Sequence, residues 1–270
     1  MASVKEMIAP VVPERLKMVI RPWYRALQGS AHEGPPDRPA GLAIGSFGGF
    51  ELAYRKGTAD EEVIKHSFDD DIFFAGVPEY QPGAADVIID IGAHIGTFSL
   101  LAASKVKHGK VYAIEASEES FSLLRINVAL NQCANISVHH LAMADRDGTC
   151  TLYHDIGNWG HSTVKKLSKS SEIVESCSLS SFLEKNRIEE CQFMKLNCEG
   201  GEFPILLSSS NSVLQRFGTI LVLYHCDLWG KNTADDLVRH LESSGFNCVV
   251  RNRSKMRGWI IATRAAKTMH

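Results

Sequence analysis

VIIDIGAHIGTFSL, Val87 to Leu100, is the stretch on which the fold turns. Val87, Ile88, Ile89 and Ile91 are apolar and β-branched, which suits a strand buried on both faces of a parallel sheet. Gly92 and Gly96 then bracket a short turn, and Phe98, Leu100, Leu101 and Ala102 come after it at spacings that predict a helix folded back on the sheet. Without a Cβ at either glycine, a ligand can come close to the main chain, and the helix starting near Gly96 offers it unpaired N–H groups. Asp90, at the strand's carboxyl end, adds a negative charge to this crevice, favouring a ligand with an amine or a sulfonium over a pyrophosphate. A Gly-x-x-x-Gly turn is equally an ordinary strand-to-helix connection, so its meaning depends on residues further along the chain.

The chain has 270 residues, enough to bury a full core, and one domain with an appendage is the expected organisation. A formal net charge of -2 gives no whole-protein case for a nucleic-acid partner. Seven cysteines are scattered without a Cys-x-x-Cys pair, which suits reduced thiols and argues against a zinc site. No apolar run approaches the length of a membrane span and the start lacks the apolar core of a signal peptide, so a cytoplasmic protein is expected.

Residues 1–41 read as an appendage. Leu16, Val19, Ile20, Trp23 and Leu27 fall on one helical face, with Arg15, Arg21 and Arg25 mostly on the other, and Pro22 kinks or breaks the helix. Such a helix can lie on an anionic membrane surface or meet a lipid-linked substrate, or it can pack on its own domain or on a partner subunit of a homo-oligomer. Gly29 to Gly41 is a linker by composition. From residue 42 onward a single domain is expected. Its first part, residues 42–80, is an extension made of a hairpin around Gly48 and Gly49 and a short helix opened by a Thr58/Glu61 capping box.

Beyond Gly83 the chain alternates strands and helices, with strands expected at Val87–Ile91, Lys110–Glu115, Ile136–Leu141, Gln192–Leu196 and Thr219–Tyr224. This is the pattern of a Rossmann-like, doubly wound and mostly parallel α/β sheet. The segment NCVVRNRSKMRGWIIATRA leaves no room for a crossover helix, so the last strand must enter antiparallel. Glu115 lies about 20 residues after Gly96 at the end of the second strand, where a carboxylate can bind ribose hydroxyls. Together with the glycine turn it specifies an adenosine-type ligand. Asp145, in LAMADRDG, is placed to meet an adenine amino group, although DRDG is also a good turn.

Four segments, VIIDIGAHIGTFSL, KVYAIEASEESFSLLRINVALN, LAMADRDGTCTLY and FMKLNCEGGEFPIL, resemble in order and spacing the FkbM family of S-adenosylmethionine-dependent methyltransferases. The likeness runs from Val77 to Tyr224, and VPEYQPG resembles the family's lead-in to the first strand. It implies the seven-stranded class I methyltransferase fold, S-adenosylmethionine as cofactor, and O-methylation of a sugar, glycan or natural-product hydroxyl. Asp90, Gly92, Gly96 and Glu115 carry over as cofactor contacts, with their neighbours His94, Thr97 and Ala116, and so do Tyr80 and Asp145. Two positions depart from the family's common form: His94 stands where Asn is usual, and Asn197 where Asp is usual. Asn197 removes a charge that a divalent metal ion would draw on, and no metal ligand is assigned.

The segment KLNCEGGEF delivers Asn197 and Glu199 into the crevice. Glu199 can orient a substrate hydroxyl, take its proton or bind a metal ion, whereas Glu202 is read as a complement to a helix dipole. His225 ends the fifth strand, and its ordinary pKa near neutrality suits a general base. Either Glu199 or His225 serves as the base and the other orients the acceptor. His161 is a weaker candidate, on a loop. Arg251, Arg253, Lys255 and Arg257 form a basic turn that could face an anionic acceptor. No Asn/Asp-Pro-Pro-Tyr segment occurs at this strand end, which counts against base N-methylation. Two other readings share the fold: a cofactor-binding protein that has lost catalysis, and a nucleotide-dependent oxidoreductase, the latter disfavoured by the missing Gly-x-Gly-x-x-Gly and by the terminal hairpin.

Overall fold

A computed structural model of the protein describes residues 41–155 and 160–264, so the helix and linker expected over residues 1–41 lie, Gly41 apart, outside the described residues. Strands β1 (Leu42–Phe47) and β2 (Phe50–Arg55) pair antiparallel through the Gly48–Gly49 turn, and helix α1 (Asp60–Phe68) comes next. The capping box takes another form: Thr58 Oγ1 accepts the Asp60 N–H, and Glu61 reaches back to the N–H of Gly57.

The alternating part then begins with β3 (Val87–Ile91), α2 (Thr97–Lys105), β4 (Lys110–Glu115), α3 (Glu118–Leu130) and β5 (Ile136–His140). Next come three strands of a separate small sheet, β6 (Ala142–Ala144), β7 (Gly148–Tyr153) and β8 (Ser171–Ser178). Helix α4 (Leu179–Lys185) leads into β9 (Cys191–Leu196), and α5 (Glu202–Ser208) and α6 (Asn211–Leu214) lead into β10 (Phe217–His225). The chain closes with α7 (Cys226–Trp229), α8 (Ala234–Ser243), β11 (Phe246–Arg251) and β12 (Arg257–Arg264).

Seven of these strands form one sheet in the order β11-β12-β10-β9-β3-β4-β5. All neighbours from β10 to β5 run parallel, and β12 enters antiparallel between β10 and β11. This is the class I methyltransferase arrangement, with an N-terminal hairpin added. Strand β9 lies at its centre, and its neighbour β3 is covered on both faces. Ile89 and Ile91 join one core with Phe182, Phe203 and Phe217, while Ile88 joins the other with Phe98, Phe193 and Leu221. The small sheet, in the order β6-β8-β7, has no counterpart in the strands expected from sequence.

Two asparagines four residues apart, Asn127 on α3 and Asn131 capping its carboxyl end, fasten the N-terminal hairpin. Asn127 accepts the Ala53 N–H at 2.7 Å and donates to the carbonyls of Ala53 (3.1 Å) and Ile95 (2.8 Å). Asn131 repeats the exchange with Glu51, at 3.0 and 2.8 Å. The side chains thus pair alternate residues on the free edge of β2, as a neighbouring strand would. Asn127→Ala would leave buried backbone groups of Ala53 and Ile95 unpaired. It is expected to cost about 2–3 kcal/mol, read as a lower urea midpoint at constant slope.

Candidate active site

At the carboxyl ends of β3, β4 and β9 a cavity opens between the glycine turn, the small sheet and the segment after β9. Its floor is the turn itself. Gly92 has φ of 77°, and a Cβ there would lie 2.0 Å from the Asn197 carbonyl oxygen. Gly96, at φ 90°, caps α2 and would press a Cβ to within 2.5 Å of Leu124. Both glycines are therefore demanded by protein packed against protein, and room for a ligand is a secondary consequence, with Gly92 alone of the two lining the cavity. His94 adopts the left-handed conformation (φ 54°) that Asn tolerates more readily. Its N–H donates to Glu115 at 2.8 Å, and its Nε2 lies 3.4 Å from Asp60, which is held by Arg55 in a buried pair.

Asp90 does not offer its charge to the crevice, contrary to the sequence reading. Its carboxylate is fully buried, 2.8 Å from Lys195 Nζ and 2.7 Å from the Ser99 hydroxyl. The β3–β9 register sets Asp90 opposite Lys195, so the two side chains share one face. The ammonium lies over the rings of Phe73 and Phe98 and also donates to the Gly92 carbonyl at 3.2 Å. Asp90 thus acts on the crevice through the backbone that Lys195 holds.

Glu115 lines the cavity and is almost wholly buried. Burial lifts its pKa, while the N–H groups of Ser117 and His94 favour its charge. One oxygen accepts from each N–H, leaving lone pairs for two further donors. Beside it Ala116, Leu141, Ala142, Met143 and Leu152 build an apolar wall suited to a flat heterocycle.

Three expected contacts lie elsewhere. Tyr80 stacks on Phe193 and donates to Asp86, just before β3, at the end of the sheet opposite the crevice. Thr97 is buried and accepts from the Ser67 hydroxyl. Asp145 is exposed, because β6 leaves the main sheet and carries the residue past the cavity, which Ala142 and Met143 line in its place.

Across the cavity, Asn197, Cys198 and Glu199 come directly after β9. Glu199 has φ of 48°, and its N- and C-terminal neighbours donate their N–H groups to one side chain: Glu202 accepts from Cys198 at 2.7 Å and from Gly200 at 2.9 Å. Glu202, fully buried, also faces His225 Nδ1 at 3.1 Å. His225 Nε2 stands 3.5 Å from Glu199 Oε2. The sequence brought Glu199 and His225 forward but treated Glu202 as a helix-dipole residue; its i+3 spacing from Glu199 on a glycine turn was the available signal. Of the three, only Glu199 lines the cavity. Burial, partly opposed by His225, raises its pKa above the ordinary glutamate value.

A strip from Gly160 to Lys165 roofs this end. Gly160 passes so close to Glu199 that a Cβ would lie 2.3 Å from its carboxyl carbon, and the Ser162 hydroxyl donates to the Glu199 carbonyl at 2.7 Å. His161 lines the cavity and accepts the Asp155 N–H on Nδ1, which leaves Nε2 as its donor. Burial, with His154, Arg55 and His94 nearby, lowers its pKa to about 4, so the ring is neutral at physiological pH.

The three arginines of the basic terminal turn are each paired with a carboxylate, and Lys255 is exposed. Arg251 pairs with Glu79, Arg253 with Asp235 and Arg257 with Asp227. Among the described residues, no three His, Cys, Asp or Glu side chains converge to hold a metal ion. No helix among them is long and apolar enough to cross a membrane.

A sequence model of the methyltransferase FkbM domain matches residues 90–248, more than half of the chain. Similar solved structures include methyltransferase FkbM from Methylobacillus flagellatus KT, with 13% identity and a TM-score of 0.48. The likeness covers 71% of this chain and 47% of that one, so the present chain spans about half its length. Aeropyrum pernix fibrillarin, solved with natively bound S-adenosyl-L-methionine, is 16% identical with a TM-score of 0.44, covering 85% of each chain. No curated protein is similar enough to count as a relative.

Breaking the central ion pair from one side should be costly. Lys195→Met, which strands the Asp90 charge in the core, is expected to lose about 3–5 kcal/mol of stability, and adding Asp90→Asn should restore much of it. Urea denaturation of the single and double variants measures both.

Proposed function

Since this chain belongs to the FkbM family of methyltransferases, we propose that it methylates a hydroxyl of a sugar, glycan or natural product, with Glu199 taking the hydroxyl proton. S-adenosylmethionine is its cofactor, and the residues around the cavity fit that molecule. Glu115 has lone pairs left for two ribose hydroxyls, the wall from Ala116 to Leu152 suits adenine, and the glycine turn bounds the remaining length.

One observation carries the reading: Glu115 and Glu199 line the same cavity, so a cofactor-binding carboxylate and a proton acceptor serve a single site. When bound, S-adenosylmethionine supplies an electrophilic methyl group on a sulfonium, whose transfer to a hydroxyl oxygen leaves a neutral thioether and a proton to be removed. Glu199 is suited to accept that proton, because burial strengthens it as a base while the neighbouring His225 favours its ionised form. Of the two candidate bases only Glu199 lines the cavity, with His225 behind it, and this supports Glu199 as the base. His94, His161 and Thr163 share the cavity with Glu199 and supply the polar contacts that a hydroxyl-rich acceptor requires. The Gly160–Lys165 strip lies against Glu199, where it is suited to help align the reactants, from which much of the rate derives. The seven free thiols support a cytoplasmic setting.

Isothermal titration tests the reading first. The protein should bind S-adenosylmethionine and its demethylated product but not NADH. Glu115→Ala should weaken binding about 10- to 100-fold through the lost ribose contacts. Glu199→Gln should keep cofactor affinity and slow methyl transfer about 10²- to 10⁴-fold, followed with methyl-labelled cofactor on sugar and phenol acceptors. Binding of NADH alone would overturn the proposal in favour of redox chemistry, and tight cofactor binding without turnover of any acceptor would favour a non-catalytic binder.

A further inference from the structure

Behind Glu199 stands a histidine with a carboxylate on each ring nitrogen. Nδ1 of His225 faces Glu202 Oε1 at 3.1 Å, and Nε2 lies within ion-pair distance of Glu199 Oε2, at 3.5 Å. An ionised carboxylate only accepts, so a hydrogen bond from Nδ1 to Glu202 and a second carboxylate within ion-pair distance of Nε2 both favour a ring protonated on each nitrogen. The remaining charges around it are Arg257 of β12 and Asp227 of α7, which pair with each other at 2.9 Å, and Lys165 of the roof, whose ammonium binds the Asp227 carbonyl. Arg257 opposes the ring's charge, but it is the weakest of these influences and is matched by Asp227. Burial alone would lower the pKa of His225; the hydrogen bond and charge of Glu202, with the charge of Glu199, outweigh it and leave the pKa above the ordinary histidine value.

Glu202 performs a second task with the same two oxygens. By accepting the N–H groups of Cys198 and Gly200 it clamps both sides of Glu199, whose left-handed backbone is otherwise unfavourable for a residue with a side chain. The carboxylate therefore fixes the direction in which Glu199 leaves the chain and the charge that stands behind it.

We propose that Glu202 is a positioning residue: it holds His225 as a cation between two carboxylates, behind Glu199, and pins the turn that aims Glu199 into the cavity. This rests on the reading of Glu199 as the proton acceptor. In this arrangement His225 takes no proton from the acceptor. Its charge keeps Glu199 ionised before transfer and is released from that partner when Glu199 becomes neutral.

The test is an NMR titration of the His225 ring in the full chain, its resonances assigned by their absence in His225→Gln. In the wild type both ring nitrogens should remain protonated at pH 7, above the midpoint of an ordinary histidine. Glu202→Gln should lower the His225 midpoint by a unit or more, a tenfold loss of proton affinity, while S-adenosylmethionine binds within twofold of the wild type. A purely structural Glu202 would change the unfolding midpoint and leave the His225 titration where it was, and that result would overturn the proposal. If Glu202→Gln does not fold, the wild-type spectrum decides alone: a neutral His225 at pH 7 would sink the idea, and an imidazolium would support it. Failure of the wild type to bind S-adenosylmethionine would instead strike the functional reading, with the His225 titration still deciding the charge arrangement.

Discussion

A lysine ammonium buried in the middle of a parallel sheet sets the terms for everything around it. Lys195 has no route to water, and its charge is tolerable only because Asp90 lies opposite it on the adjoining strand, with two phenyl rings and the Gly92 carbonyl completing its surroundings. Such pairs add little net stability, since desolvating both ions offsets most of their attraction. Their effect is on register. Any slip of β3 against β9 would place two charges against hydrocarbon. With that register fixed, Gly92 abuts the Asn197 carbonyl, and the crevice acquires its floor and one wall together.

The two loops that meet in the crevice share a common plan. Each contains a residue with a side chain in the left-handed region, His94 in one and Glu199 in the other. In each, a buried carboxylate accepts backbone N–H groups at or beside that residue: Glu115 takes that of His94 itself, Glu202 those of Cys198 and Gly200 on either side of Glu199. Local conformational strain of about 1–3 kcal/mol per residue can persist where surrounding bonds over-determine it. Here those bonds come from two acids that also face the site or its base.

Much of this architecture was legible in the chain. The β-branched run Val87–Ile91 marked β3 because both of its faces are buried, and the short basic turn between the last two strands forced the antiparallel entry of β12. The small sheet was not legible. Strand β6 has only three residues, and β8 breaks simple alternation, with Ile173 exposed while Val174, Ser176 and Cys177 are buried. Site residues divided on the same physical grounds. Glu115 and Glu199 were readable because strand ends deliver their side chains directly to the crevice. The fate of Asp90 was hidden because its partner lies 105 residues away, and Tyr80 lies at the opposite end of the sheet from the site its motif suggested. For Glu202 the i+3 spacing from Glu199 was only a weak signal, since its significance comes from a histidine 23 residues further on.

The asparagine clamp on the N-terminal hairpin also orders events in time. Its bonds join residues 74 and 80 positions apart, and contacts of such separation form only after the intervening chain has been gathered. Because Asn127 ties Ala53 to Ile95, the hairpin seats only once α3 has grown and the glycine turn has closed beneath it. Strands β1 and β2 are thus made before the helix that seats them, and the edge of β2 waits without its partners until Asn127 and Asn131 have been made.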